Sequence, residues 1–195
     1  MKYIPIAGTG AREHSRSWHQ ADSDTAVFLD QRGFDRLGDD LPFWSSALSG
    51  TRFCGNNHSV WQYGGAVLRR WLLGVPLDDR NLIAHSHGGQ IVAYALAGGV
   101  QVRSVVTVAS PIRRDMDEVW ESCGLTGESH LHLYGVGWGD RWRWFGQRGR
   151  FKRAMAGATN FKIEGGHSGM LTRPDDYADQ WSRVLSWIRS KPHYE

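Results

Sequence analysis

The sequence predicts an α/β fold, a mostly parallel central sheet of about six strands with helices on both faces. Short runs rich in β-branched residues alternate with longer amphipathic stretches, which is typical of strands joined by crossover helices. The composition, with 41% hydrophobic and 22% charged residues among 195, is that of a globular chain. A chain of this length buries roughly 70% of its unfolded surface as one unit, so a single domain covering residues 1–195 is expected.

Six short apolar runs have the length and residue types of β-strands. In an α/β order these runs would form one sheet, with the helices packed above and below it. The predicted strands are residues 3–7, 25–29, 81–85, 104–109, 130–134 and 160–164.

Three longer stretches, residues 62–73, 87–97 and 175–189, repeat apolar side chains at the three- and four-residue spacing of a helix with one buried face. Glycines follow the first two stretches, where a helix is expected to end. Between the elements lie three connections long enough to carry function. They are residues 33–60, 111–129 and 138–158.

Charge and cysteine content exclude several classes of protein. The formal net charge is only +3, so nucleic acid is not expected as a partner. Cys54 and Cys123 form no C-x-x-C pair, which fits neither a disulfide framework nor a zinc site, and both are expected to be reduced. No stretch approaches the ~18 apolar residues of a membrane span, and no signal peptide is evident. A soluble, cytoplasmic protein is therefore expected.

Residues 138–153 interleave arginine and lysine with tryptophan and phenylalanine. Such a segment could grip an anionic polymer or a lipid surface. The alternative, which we favour, is a solvated loop whose tryptophans cover the core.

The stretch from Asn81 to Gly99 is the most informative in the chain. An apolar strand ends at Ser86 and a helix begins at once, so the serine lies on a sharp turn that needs small neighbours. Ala84, Gly88 and Gly89 are such neighbours. The pattern resembles the G-x-S-x-G nucleophile elbow of the α/β-hydrolase superfamily, with alanine in place of the first glycine. The alternative is that Ser86 only caps the helix.

The resemblance implies a compact α/β-hydrolase fold in which the Ser86 hydroxyl attacks an acyl carbonyl. The N–H of His87 would then be one donor to the oxyanion. The superfamily order of serine, acid and histidine implies that His167, after Gly165-Gly166, is the base. A surface histidine in a glycine turn is the alternative for His167.

Two places in the sequence are candidates for the acid of the triad. Asp140 ends a glycine-rich turn after the strand at 130–134, which matches the usual superfamily position of the acid. Asp115 and Asp117 follow the preceding strand, at a position that some lipases of the superfamily use. A solvated aspartate beside Arg141 is the alternative for Asp140.

The second oxyanion donor is expected in the loop after the first strand. Residues 4–11 resemble the superfamily's strand followed by His-Gly-x, with Ala7 in place of the histidine. By position, the N–H of Thr9 would be the donor. Trp18 lies where many members carry a tryptophan, and we interpret it as a packing residue.

These residues together predict an esterase or lipase that forms an acyl-enzyme on a small-molecule or lipid ester. The triad would be Ser86, His167 and Asp140, with no cofactor and no metal. Thioester or amide hydrolysis uses the same triad, and a binding module that lost turnover is an alternative from another class. The walls of the pocket are expected from aromatic residues of the long connections: Trp44, Phe53, Trp61, Trp138 and Trp142.

Two further interpretations compete with the hydrolase. Gly8-Thr-Gly followed by Asp30 at the end of the next predicted strand resembles a dinucleotide fingerprint, although Glu13 replaces its third glycine. Two H-x-H pairs could each present both rings on one face of a strand to a metal. These pairs are His85 with His87 and His130 with His132.

Overall fold

The computed structural model describes residues 1–8, 18–38, 58–135, 154–164 and 168–193, and the fold is given over these ranges. Six parallel strands form one sheet in the order β2-β1-β3-β4-β5-β6. The strands are β1 Lys2–Ile6, β2 Asp35–Arg36, β3 Asn81–His85, β4 Ser104–Val108, β5 His130–Gly135 and β6 Thr159–Ile163. The predicted α/β class and the six-stranded parallel sheet are confirmed.

Within these ranges, six α-helices and three 3₁₀ turns lie between and after the strands. The helices are α1 Asp24–Asp30, α2 His58–Leu72, α3 Gly88–Ala97, α4 Asp117–Ser122, α5 Gly169–Thr172 and α6 Ala178–Arg189. The 3₁₀ turns are Leu77–Asp79, Arg114–Met116 and Pro174–Tyr177.

The core consists of two layers, one on each face of the sheet. Because side chains alternate along a strand, Leu82 and Ala84 of β3 point into one layer while Ile83 points into the other. The first layer, with Ile83, lies beneath α1, α5 and α6. The second layer lies beneath α2, α3 and α4. Helices on both faces agree with the sequence prediction.

The prediction of a strand at residues 25–29 is wrong, because this segment is helix α1. Ser23 caps the helix, since its Oγ accepts a hydrogen bond from the Ala26 N–H at 3.1 Å. The buried side chains fall at Thr25, Ala26, Phe28 and Leu29, which is the spacing of a helix face rather than the alternation of a strand.

The strand that takes the place of 25–29 in the sheet is β2, of only two residues. It pairs with β1 in the register Lys2 to Asp35 and Tyr3 to Arg36. Its sequence is polar, so it carries none of the apolar signal that strands in a sheet centre show. Helix α4 was likewise unpredicted and occupies part of the connection at 111–129.

Helices α2 and α3 approach closely where glycine faces a neighbouring backbone. A Cβ on Gly65 would lie 2.6 Å from the Cβ of Tyr94 and 3.0 Å from the amide nitrogen of Ala95. This contact joins the middle of α2 to the second half of α3, while Trp61, nearer the start of α2, stacks on His87 just before α3. That position matters because α3 follows Ser86.

Cys123 is half-buried, and its thiol lies 3.2 Å from the carbonyl oxygens of Ala93 and Val119. Burial raises the pKa of this thiol to about 12, so the sulfur stays protonated and unreactive at neutral pH. Cys54 and residues 138–153 lie outside the described ranges.

Across the described ranges, no helix combines the length and the apolar character that crossing a membrane requires. The cytoplasmic location stays a prediction.

Candidate active site

Ser86 lies between the last residue of β3 and the first turn of α3, in a strained backbone conformation. Its φ is +53°, and the only other non-glycine residue with positive φ in the part of the chain that the structure describes is Ala109. The Ser86 N–H donates to the Val108 carbonyl at 3.0 Å, and its carbonyl accepts from the Gly89 N–H at 3.2 Å. The sharp turn predicted at this serine is present.

The alternative role of Ser86, as a helix cap, does not agree with the geometry. The N-cap position of α3 belongs to His87, whose side chain makes no capping hydrogen bond within the described residues. A strained serine with no capping role is therefore available for another purpose.

Close backbone contacts explain two of the glycines around the elbow. A Cβ on Gly88 would overlap the carbonyl oxygen of Ile6, so only glycine lets α3 begin against the end of β1. A Cβ on Gly8 would lie 2.7 Å from the His85 carbonyl oxygen, 2.8 Å from the Ser86 Cβ and 3.2 Å from the His87 nitrogen. Gly8 therefore lies directly against the elbow.

The other end of the chain also reaches the elbow. The hydroxyl of Ser168 lies 3.4 Å from Nε2 of His85, the residue before Ser86. The indole of Trp18 packs edge-on against the same imidazole, at 6.3 Å between centroids and 83° between planes. Trp18 is buried in the core layer of α1, α5 and α6, so its predicted packing role is confirmed.

His85 and His87 point to opposite faces of the sheet, which overturns their interpretation as a metal pair. His85 contacts Trp18 on one face, whereas the His87 ring stacks on Trp61 of the other core layer, at 5.3 Å and 20°. The strand alternation behind the prediction fails here because the chain turns at Ser86.

The pair His130 and His132 does share one face of β5. Thr107 Oγ1 lies 3.0 Å from His130 Nε2 and 2.8 Å from His132 Nδ1, so a hydroxyl joins the two rings. Burial, and then the nearby His132, lower the pKa of His130 to about 3. The His130 ring stacks on Trp120 with 5.2 Å between ring centroids. We interpret His130 and His132 as a buried structural pair.

Asp115, one of the candidate acids, is bound to two other side chains. Its Oδ1 accepts from Arg113 Nε at 2.9 Å, and its Oδ2 accepts from Arg113 Nη2 at 2.5 Å and from His58 Nε2 at 3.1 Å. Burial raises the pKa of this carboxyl, but the hydrogen bonds and charges of Arg113 and His58 outweigh it and hold the pKa at about 2. Asp117 is exposed at the start of α4.

His58 cannot act on a substrate through either ring nitrogen while these contacts hold. Its Nε2 lies 3.1 Å from Asp115 Oδ2 and its Nδ1 lies 2.7 Å from the Tyr94 hydroxyl, so both nitrogens are engaged within the protein. No short sequence motif contains His58 or Arg113, so neither residue is predictable from the sequence. A buried arginine that is ion-paired with an aspartate is recognisable only once the chain is folded.

The predicted site residues divide into those that the structure describes and those that it does not. Ser86 and His87 are described, and both are buried. Thr9, Asp140 and His167 lie outside the described residues, as do four of the aromatic residues expected to line the pocket: Trp44, Phe53, Trp138 and Trp142.

Two of the described candidates differ from their predicted roles. Trp61, expected as a pocket wall in a connection, belongs to α2 and is only 2% exposed. Asp30, the acid of the dinucleotide interpretation, is the exposed last residue of α1 rather than the end of a strand. That interpretation therefore loses the strand on which its acid depended.

Neither a family model nor a curated protein matches the chain in sequence. Several solved structures match it in shape. A predicted CIB-like hydrolase from Thermoplasma acidophilum has a TM-score of 0.58 at 14% identity, with 94% of this chain and 85% of that chain covered.

Two further structures are similar to the same extent. An α/β hydrolase from the sediment metagenome of the Mar Chica lagoon, Morocco, has a TM-score of 0.56 at 15% identity and covers 95% of this chain and 90% of its own. A structure from work on carboxylesterases of the thaumarchaeon Nitrososphaera gargenis has a TM-score of 0.55 at 12% identity, with 96% and 90% covered. The sheet, the elbow and these likenesses agree: the chain has the α/β-hydrolase fold.

Proposed function

We propose that the protein is a serine hydrolase of the esterase or lipase type, which cleaves a carboxylic ester through a covalent acyl-enzyme. The observation that carries the proposal is Ser86, held at a φ of +53° at the N-terminal end of α3 on an α/β-hydrolase sheet. At that position the positive end of the helix dipole favours the negative charge of an attacked carbonyl.

In the proposed reaction, Ser86 Oγ attacks the ester carbonyl while His167 takes the hydroxyl proton and Asp140 orients the imidazole. The N–H groups of Thr9 and His87 stabilise the oxyanion. The tetrahedral intermediate collapses, His167 returns the proton to the leaving alcohol, and an acyl group remains on Ser86. Water, activated by His167, then releases the carboxylic acid.

Two contacts support the assignment of residues that flank the described ranges. Gly8 lies against Ser86 and the His87 nitrogen, and Thr9 is the next residue, so its N–H is close in sequence to where a second donor is needed. Ser168 contacts His85, and His167 is the residue before Ser168 in the sequence. Both contacts favour a site assembled around the elbow.

The partners of Asp115 support Asp140 as the triad acid. An acid that orients the base must accept from an imidazole that also reaches the serine. Asp115 instead accepts from Arg113 and from His58, whose second nitrogen is bound to Tyr94. We therefore assign the acid to Asp140, five residues beyond the end of β5.

The proposed substrate is a small-molecule or lipid ester, and the triad chemistry needs neither a cofactor nor a metal. The similar structures bear names such as hydrolase and carboxylesterase, which favours ester chemistry. A thioester or amide would use the same residues.

A fluorophosphonate probe tests the proposal directly, because it modifies only an activated serine. We expect one adduct per chain, located at Ser86 by mass spectrometry, and no adduct in Ser86→Ala or His167→Ala. Ser110→Ala is the matched control, since Ser110 is a buried serine beside Gly89, and it should label like the parent protein. Labelling elsewhere, or none, would contradict the proposal.

The ester specificity needs a second measurement. Aryl esters of rising acyl length, together with a matching thioester and anilide, would rank the three substrate classes by kcat/KM. A labelled protein that turns over the thioester or anilide faster than the ester would replace the esterase assignment. A chain inert to every substrate and to the probe would favour a binding module on the same fold.

A further inference from the structure

Trp61 of α2 forms a buried contact with the residue that follows Ser86. Its indole stacks on the His87 imidazole with 5.3 Å between centroids and 20° between planes, and both residues are almost completely buried. The backbone N–H of His87 is the proposed oxyanion donor. A group that fixes the His87 side chain therefore also restrains the peptide that carries this donor.

Polar groups from three elements hold the indole in place. The His58 ring packs edge-on against it at 5.2 Å and 65°, and the Arg113 guanidinium carbon lies 5.1 Å from its ring centroid, within cation–π range. Asp115 binds both Arg113 and His58, and Tyr94 of α3 binds the other nitrogen of His58. This set, the Trp61 cluster, joins α2, α3 and the segment after β4.

The Arg113 side chain makes the cluster hard to rearrange. Its guanidinium is fully buried, with no exposed side-chain surface, so it needs the Asp115 carboxylate beside it. Moving Trp61 would disturb this ion pair as well as the stacking on His87. The cluster is therefore a rigid support rather than an adaptable surface.

The elbow needs such a support. A serine at positive φ persists only where its surroundings fix the backbone, and the His87 side chain does not cap α3. We propose that Trp61 is a positioning residue, which acts through the ring of His87 to hold the oxyanion N–H in place. The inference rests on the proposed function, because it concerns the same site.

Trp61→Leu tests the inference, with Leu68→Ala as the matched control. Leu68 is fully buried on the same helix and in the same core layer, but lies two turns further along. We expect Trp61→Leu to lower kcat and the fluorophosphonate labelling rate by about 10- to 100-fold, as a small misplacement of catalytic groups does. KM should change by less than about threefold, because the substitution should weaken stabilisation of the transition state and leave binding of the substrate itself unchanged. Leu68→Ala should lower Tm comparably yet label at the parent rate.

A second pair of variants covers the case in which Trp61→Leu does not fold. His87→Ala removes the ring that Trp61 supports, whereas His87→Phe keeps an aromatic ring in the stack. We expect His87→Phe to react with the probe about tenfold faster than His87→Ala. This difference is smaller than the rate loss caused by removing one oxyanion donor completely, because the N–H is misplaced rather than removed. Equal labelling of these two variants would overturn the inference.

The outcomes separate the two proposals. If the parent protein is labelled at Ser86 but Trp61→Leu and Leu68→Ala lose labelling in proportion to their loss of Tm, the positioning role is wrong and the hydrolase stands. If the parent protein is not labelled at all, the proposed function fails and the positioning role fails with it.

Discussion

At the scale of single residues, Ser86 combines a strained backbone with a proposed chemical role. A φ of +53° costs a residue with a Cβ about 1–2 kcal/mol relative to glycine. Such strain is found where surrounding contacts over-determine the backbone, as they do at Ser86, which is bonded to Val108 and Gly89 and packed against Gly8.

We predict that Ser86→Gly and Ser86→Ala are both inactive but differ in stability. Glycine relieves the strain and alanine keeps it, so the glycine variant should unfold with a free energy about 1 kcal/mol higher than that of the alanine variant. Urea unfolding of the two variants measures the difference. A more stable alanine variant would mean that the serine backbone is not strained.

The two candidate acids make opposite predictions. If Asp140 orients His167, Asp140→Asn should lower kcat by about 10⁴-fold, because the imidazole loses its tautomer and its counter-charge. Asp115→Asn weakens only the support of Trp61 and should lower kcat about tenfold. Steady-state kinetics on one aryl ester compare them, and the reverse ranking would move the triad acid to Asp115.

At the scale of elements, the central strands were predictable and α1 and β2 were not. β3 and β4 are fully buried runs with apolar residues on both faces, and β5 alternates histidine with leucine, so their patterns alone indicate strands. Residues 25–29 are as apolar as a strand, but the Ser23 cap and the 25, 26, 28, 29 spacing decide for a helix. β2 has two polar residues, and only its pairing with β1 makes it a strand.

The elbow was predictable because its residues are adjacent in sequence, whereas the residues of the Trp61 cluster are far apart in sequence. Consecutive residues determine the turn at Ser86, since the strand, the serine and the glycines follow one another in the sequence. The cluster joins His58 and Trp61 to Arg113 and Asp115, which are about fifty positions away in sequence. No local pattern encodes such a contact. The roles of Thr9, Asp140 and His167 stay predictions.

On strand β5, the buried His130 should make the protein less stable in mild acid. Its pKa is about 3 in the folded chain and 6.5 in the unfolded chain, so between these values the unfolded chain binds the extra proton. The contribution of neutral His130 to the free energy of unfolding is complete above about pH 6.5 and is lost as the pH falls towards 3. His130→Gln should therefore show a smaller fall in Tm from pH 7 to pH 4.5.

The matched control for His130 is His193→Gln, because His193 is an exposed histidine whose ring lies 3.1 Å from Asp78. Its Tm should follow the parent protein across the same pH range. A His130→Gln profile as steep as that of the parent would show that His130 is not the group that takes up the proton.

At the scale of the whole molecule, one buried arginine joins the beginning and the end of the described chain. The Arg103 guanidinium donates to the carbonyls of Lys191 at 2.7 Å and Pro192 at 3.1 Å, and it lies 3.6 Å from the sulfur of Met1. These contacts gather both ends of the described chain at the start of β4, away from the elbow at the other end of the strands.

We predict that Arg103→Met lowers the free energy of unfolding by about 2 kcal/mol, because charge-assisted hydrogen bonds to two carbonyls are lost. The exposed Arg70 of α2 is the control, and Arg70→Met should change the free energy of unfolding by less than about 0.5 kcal/mol. Denaturant unfolding measures both variants, and labelling of Ser86 should be unaffected in either. A loss of labelling in Arg103→Met without loss of stability would contradict this purely structural role.

The contact between Ser168 and His85 carries a consequence for the protein during its synthesis. The strand and turn that hold Ser86 are synthesised well before the segment around residue 168. Thr25 is also synthesised long before Leu171, whose carbonyl accepts a hydrogen bond from the Thr25 hydroxyl. A ribosome-bound chain would thus have its serine elbow sequence in place long before the partners that complete the site emerge. On the proposed function, ester cleavage therefore has to wait until the segment around residue 168 has been made and has packed against the elbow.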